Sequence, residues 1–300
     1  MEPQAVQDTG RYQIIMALNR GRKQTNLLRH AFAWLMIAFS IFPIYVVLTS
    51  SFSSSGSLSQ SILPTEFNLL NYEKLFTDPS VPFMTWMLNS IVLASATAIL
   101  SVIIGIFAAY AFSRLKYRGR RLSLQALLLI QVFPSFLALA AIYVIMERIY
   151  RVFPAIGLGT LGGLLLVYLG ASMGANAWLL KGFLDSIPME LDEAAKIDGA
   201  SPVQIFWQIF LPLTTPILIV VALLSFIGTF NEFILASIFL QELESRTIAV
   251  GLQTFVSARY GQNWGVFAAG SVLASIPLVA LFLSLQKYII GGVTTGAVKG

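Results

Sequence analysis

Six stretches of this chain carry no Asp, Glu, Lys or Arg: 31–65, 79–113, 122–146, 152–180, 199–231 and 260–286. Each exceeds the ~20 residues that an α-helix needs to cross a bilayer. Hydrocarbon offers no partner to a free N–H or C=O, so apolar runs of this length are read as helices. A membrane β-barrel would instead show segments of ~10 residues with alternating polarity, and no such alternation occurs. Only 11% of the residues are charged and 57% are hydrophobic, against about 25% charged in a soluble domain. The expected fold is therefore an all-α membrane protein with six transmembrane helices, at about 31–49, 88–113, 122–146, 161–180, 214–239 and 267–290.

Six spans put both termini on one side. That side collects 14 of the 19 Lys and Arg residues: those of segment 1–30, the five of Arg114–Arg121, Lys181, Lys196, Lys287 and Lys299. The excess of basic residues in cytoplasmic loops then places both termini and the 181–213 loop in the cytoplasm, and 50–87, 147–160 and 240–266 outside. The net charge of +5 follows from this bias and does not argue for nucleic acid. Cysteine is absent, which excludes disulfide and thiolate chemistry. The single histidine, His30, sits at the edge of the first span, and neither a metal site nor a Ser/His/Asp arrangement can be built on it. Thirty residues precede the first apolar run without a clean cleavage site, so that run is read as an uncleaved span rather than a signal peptide.

Between the spans, Ile62–Phe76 is expected to hold a short external helix. Arg114–Arg121 reads as a basic hairpin turning at Gly119, with setting the topology as its plain role. Gly162, Gly163, Gly170 and Gly174 would let the fourth span approach a neighbouring helix closely.

The most informative loop lies between the fourth and fifth spans. Pro188 suits a helix start, and Glu190, Asp192 and Glu193 follow it where the helix dipole favours negative charge. Leu191, Ala194, Ala195 and Ile197 supply a modest apolar stripe. Gly199 suits the left-handed residue that ends a helix. Ser201 and Gln204 form the ends of a capping box around Pro202, opening a second helix whose apolar face is Val203, Phe206, Trp207 and Phe210. Residues 181–212 hold two bases and five acids, a net of −3. Helices that lie on lipid usually carry Lys and Arg on their polar face, and an anionic leaflet repels this one. DNA repels it equally. A protein partner is the better reading.

The run EAAKIDGASPVQIFWQIFLPL, from Glu193 onward, resembles the EAA loop of permease subunits of binding-protein-dependent ABC importers. Glu193, Ala194, Ala195, Asp198, Gly199, Ala200 and Pro212 stand where that motif has them. The segments Tyr110–Gly119, Gln131–Phe136, Asn176–Pro188 and Gly291–Gly300 are similar to the smaller permease subunit of maltose and maltodextrin importers. The likeness covers roughly 30–300 and leaves 1–30 unmatched. It implies a cytoplasmic N-terminal segment (1–30), a six-span permease domain (31–290) and a cytoplasmic tail (291–300).

The resemblance further implies a prokaryotic inner-membrane subunit that forms a path with a second, homologous permease. A homodimeric cytoplasmic ATPase would grip Glu190, Glu193, Ala194, Ala195, Asp198, Gly199 and Ala200. It implies that Thr294, Thr295 and Lys299 reach that ATPase, and that Ser257, Tyr260, Asn263 and Trp264 face an extracytoplasmic sugar-binding protein. ATP and Mg would be bound by the partner subunits. This chain lacks the dipeptide Gly-Lys altogether, hence any P-loop, and is expected to be a non-catalytic transport subunit.

Glu232 is the one acid placed well inside a predicted span. With Asn231 it either lines a translocation path or pairs with a facing helix. A transporter driven by an ion gradient is the alternative function, with Glu232 as its thin support. A receptor or scaffold without transport is the third.

Overall fold

The computed structural model describes residues 29–53, 67–132, 135–257 and 262–297. The described residues hold helices and no strands. Eleven helices are named here in chain order: α1 Arg29–Ser51, α2 Leu70–Thr77, α3 Phe83–Arg114, α4 Arg120–Val132, α5 Ser135–Val152, α6 Leu161–Asp185, α7 Glu190–Ile197, α8 Pro202–Phe230, α9 Ile234–Phe239, α10 Ile248–Gln253 and α11 Trp264–Ala297. Five of them are long and apolar enough to cross a membrane: α1, α3, α6, α8 and α11. The bent pair α4 and α5 makes six if it counts as one span.

That pair corrects the third predicted span. Residues 122–146 are not one rod; α4 and α5 meet at 105°. The sequence has Pro134 between them, and a proline lacks the N–H that would carry a helix onward. The fifth span differs too. It ends at Phe230 rather than 239, and the helix begins already at Pro202. The predicted second helix of the elbow is thus the first part of the fifth span. The last span extends through Ala297, so residues 291–297 of the expected tail belong to the helix.

The centre of the fold is α3, which packs along both α6 and α8. At the end nearer α7, Ile106 and Ala109 of α3 meet Leu180 and Leu184 of α6, Ala195 of α7, and Ile205, Phe206, Phe210, Leu218 and Val221 of α8. At the far end, Phe83, Trp86 and Met87 pack with Leu75, Phe226, Phe230, Ile248, Leu252 and Val266. A third cluster joins Leu93 to Met146, Leu164, Tyr168, Phe239 and Leu240. Burial of such side chains stabilises by about 1.5–3 kcal/mol each in water. Between helices surrounded by lipid, close packing takes over that role.

Gly162, Gly163 and Gly174 of α6 serve contacts within the chain. A Cβ on Gly163 would sit 2.0 Å from the carbonyl oxygen of Gly157, and one on Gly174 would meet the Gln131 side chain of α4 at 2.4 Å. Gly170 faces open space. α1 buries none of its apolar window in the described fold. α2 is the expected short helix of the 50–87 segment, and its Asn71 Nδ2 donates to the carbonyls of Ser51 and Ser53.

Gly163→Val is expected to destabilise the fold by about 1–3 kcal/mol through overpacking, whereas Gly170→Ala, whose Cβ meets nothing, is expected to leave it as stable or to stabilise it by up to about 1 kcal/mol. Thermal unfolding of the detergent-solubilised protein reads the difference.

Candidate functional site

The elbow between α6 and α8 is built by local chemistry. α7 opens at Glu190, one residue beyond Met189, so Pro188 lies just ahead of the first turn rather than in it. The helix closes in a Schellman arrangement. Ala200 N–H donates to the Ala195 carbonyl and Gly199 N–H to that of Lys196, with Gly199 at φ +82°. Glycine, having no Cβ, takes that conformation without steric cost. Ser201 then caps α8. Its Oγ accepts from Gln204 N–H, while Gln204 Oε1 accepts from Ser201 N–H. Pro202 occupies the first helical position.

α8 opens with a wide turn over Ile205–Phe210, where Leu211 N–H reaches back five residues to the Phe206 carbonyl. Pro212 follows directly; it has no N–H, and its ring crowds the carbonyl four residues back. The widened turn splits the predicted apolar face. Phe206 and Phe210 are buried, and Val203 and Trp207 are exposed. Phe206 stacks on Phe107 with centroids 5.2 Å apart and an interplanar angle of 17°. Tyr110 lies edge-on to Phe206 and Phe210. The elbow is thereby fastened to α3.

α7 turns a different face inward than its apolar stripe predicts. Asp192 and Ala195 are buried, while Leu191 and Ala194 are exposed and Ile197 is 86% exposed. The reason is Arg114, the last residue of α3. Its Nε lies 3.3 Å from Asp192 Oδ2, with both side chains under a tenth exposed. Its Nη2 donates to the carbonyls of Leu184 and Ile187, and its guanidinium carbon sits 4.8 Å from the Phe210 ring centre. Next to it, Ser113 Oγ donates to Asp185 Oδ1 at 2.6 Å, and Lys181 pairs with the same carboxylate. Arg114 therefore does more than set topology. The sequence offered one signal for it, an arginine at the very end of an apolar run, hidden among four other bases.

With Asp192 turned inward, Glu190, Glu193, Ala194, Asp198 and Gly199 all lie exposed, Ala200 half-buried and Ala195 buried. Exposed Met189, Leu191, Ile197 and Val203 surround them. The exposed surface is thus both acidic and apolar. It suits a complementary protein groove.

Glu232 is not inside a span. It occupies the break between α8 and α9, where its Oε1 accepts from Leu235 N–H and its Oε2 from Ala236 N–H and from Tyr168 Oη at 2.5 Å. Both carboxylate oxygens are thus engaged in capping α9 and anchoring it to α6. Asn231 ends α8 and donates to the Ile227 carbonyl. Asn263 accepts from Val266 N–H and caps α11, Trp264 is the first residue of that helix, and Ser257 Oγ donates to the Thr254 carbonyl. Tyr260 and Lys299 lie outside the described residues, as does 1–28; Thr294 and Thr295 fall on the α11 backbone.

Residues 101–294 match the family of binding-protein-dependent transport system inner membrane components. The chain belongs to that family. It is 39% identical over 284 residues to the maltose/maltodextrin transport system permease protein MalG of Vibrio parahaemolyticus, covering 90% of this chain and 95% of that one. It is 39% identical over 287 residues to the galactooligosaccharides transport system permease protein GanQ of Bacillus subtilis, covering 93% and 98%. MalG of Escherichia coli is 34% identical over 296 residues, covering 95% and 99%. The fold superposes on a chain of a bacterial ABC transporter for alginate with a TM-score of 0.75 at 23% identity, covering 90% of this chain and 98% of that one.

Two substitutions check the geometry. Gly199→Val forces a β-branched residue to positive φ and is expected to cost about 1–2 kcal/mol. Glu232→Ala strips two backbone donors and the Tyr168 hydroxyl of their acceptor and is expected to cost about 1–3 kcal/mol. Both are read as a lowered unfolding temperature.

Proposed function

We propose that this chain is the permease subunit of an ABC importer for oligosaccharides of the maltodextrin class, worked by a separate ATPase. The observation that carries the reading is α7: a short helix, closed at its C-terminal end by the Gly199 turn, that presents Glu190, Glu193 and Asp198 outward among bare apolar side chains. Membership of the transport family and relatives named for maltose/maltodextrin and for galactooligosaccharides support the substrate class. In this reading a cytoplasmic ATPase dimer seats α7 in a groove lined by basic residues. A second, homologous permease completes the path. A sugar-binding protein docks at the opposite face, where Ser257, Asn263 and Trp264 lie. Both termini and α7 are cytoplasmic, in keeping with the basic side of the chain.

The chain itself is not catalytic in this proposal: ATP and Mg belong to the partner. Gradient-driven transport loses its support, because both oxygens of Glu232 are committed to backbone and hydroxyl donors. A coupling carboxylate must be free to take up and release its ion.

The test is uptake of maltodextrin into cells expressing the chain with its partner subunits. Uptake is expected to stop on ATP depletion and to survive an uncoupler; the reverse would overturn the reading. Glu193→Lys is expected to leave the chain in the membrane and to reduce uptake by about tenfold or more, within the range of coupling energies between linked sites.

A further inference from the structure

We propose that Arg114 is the positioning residue that makes α7 and α3 one mechanical unit, so that displacement of α7 is delivered to the second span. The inference rests on the reading of α7 as the docking element and extends it to the route by which force enters the membrane.

α7 is joined covalently to α6 and, through the Gly199 turn, to α8. The α6 side is a four-residue link, 186–189, and the other side turns at Gly199. α3 has no covalent neighbour in the elbow, yet its last residue reaches every part of it. The Arg114 guanidinium contacts the end of α6 at the Leu184 carbonyl and the link at the Ile187 carbonyl. It also faces Met189 Sδ, Asp192 of α7 and the ring of Phe210 in α8. The Leu184 carbonyl, which also accepts from Ile187 N–H, lies at the end of α6, and the Ile187 carbonyl belongs to the link. Arg114 donates to both from another helix. The ion pair holds the inner face of α7 at the same point.

This set of contacts requires arginine. A planar fork carries five donors in fixed directions and stacks on an aromatic face; an ammonium is a point charge with three donors. Lysine could meet Asp192 or a carbonyl, not the whole set. The pair is buried, so loss of one partner strands the other's charge out of water.

α3 is also the helix that touches the opposite surface. At its first turns Trp86 Nε1 donates to the Leu243 carbonyl, Asn89 Nδ2 to the carbonyls of Glu244 and Arg246, and Ser90 Oγ accepts from Ile248 N–H. A 32-residue helix is about 48 Å long at 1.5 Å per residue. A push at Asp192 therefore has one continuous rod to the 243–248 segment.

The experiment uses the assembled importer with spin labels on cysteines placed at Tyr117, just beyond α3, and at Lys196 on α7. Both positions are exposed, and the chain has no cysteine of its own. The proposal expects the same label-to-label distance in the nucleotide-free and ATP-trapped states, with a broadened or shifted distribution in Arg114→Lys. A distance that changes between states in the wild type, or an unaltered one in Arg114→Lys, overturns it. Sugar uptake by Arg114→Lys is expected to fall about tenfold or more while the ATPase remains associated. Wild-type uptake by that variant also overturns the proposal. If Arg114→Lys fails to assemble, Asp192→Asn, which keeps the shape and removes the charge, is put through the same two measurements with the same expectations. A failure of the docking reading shows separately, as normal uptake by Glu193→Lys, and leaves the distance measurement standing.

Discussion

A helix that stops exposes up to four unpaired carbonyls or N–H groups, and a membrane protein has little water to offer them. In this chain the stops that matter are met by side chains. Glu232 takes the first N–H groups of α9. Ser201 and Gln204 exchange bonds at the start of α8. Arg114 donates to the Leu184 carbonyl at the end of α6 and to the Ile187 carbonyl just beyond it. Two of these groups do a second thing that a cap alone does not require. Glu232 holds Tyr168 of α6, and Arg114 holds Asp192 of α7. Satisfying the backbone and fixing the relation between helices are here the same interaction.

The consequence for function is a division of labour across α7. Its inward face is Asp192 and Ala195, committed to the rest of the fold. Its outward face is acidic and apolar, with no partner within the described chain. A helix of 8 residues is too short to persist alone in water. It is kept by the Schellman closure at Gly199 and by the pair with Arg114. A partner that binds the outward face therefore acts on an element already fixed from within, which is what conversion of docking into movement requires. The wide turn at Ile205–Phe210 and Pro216 inside α8 are points where that helix departs from regular bonding. α3 has neither a proline nor a break.

Much of this was legible in the sequence. Charge-free runs place α1, α3, α6 and α11 to within a few residues at most ends, because lipid demands long unbroken helices. Gly199, Ser201 and Pro202 carry local backbone chemistry that reads the same in one dimension as in three. The failures share a cause. The bend between α4 and α5 and the early end of α8 fall within charge-free or nearly charge-free apolar runs, where hydrophobicity has no contrast to offer. The sequence places Glu232 inside a span, lining a path or pairing with a facing helix, because its two N–H partners and Tyr168 belong to a break that periodicity does not reveal. The inward turn of Asp192 could not be read at all. An acid at a helix start satisfies the dipole whichever way it faces, and only the position of Arg114, 78 residues earlier, decides it.

The most direct test of the account is the accessibility of a single cysteine at Ile197, on the outward face of α7, in a chain that contains no other. The account predicts rapid alkylation by a water-soluble maleimide when the chain is in the membrane without its ATPase, and protection when the importer is assembled. Equal alkylation in the two preparations, with the ATPase shown to be bound, would contradict it.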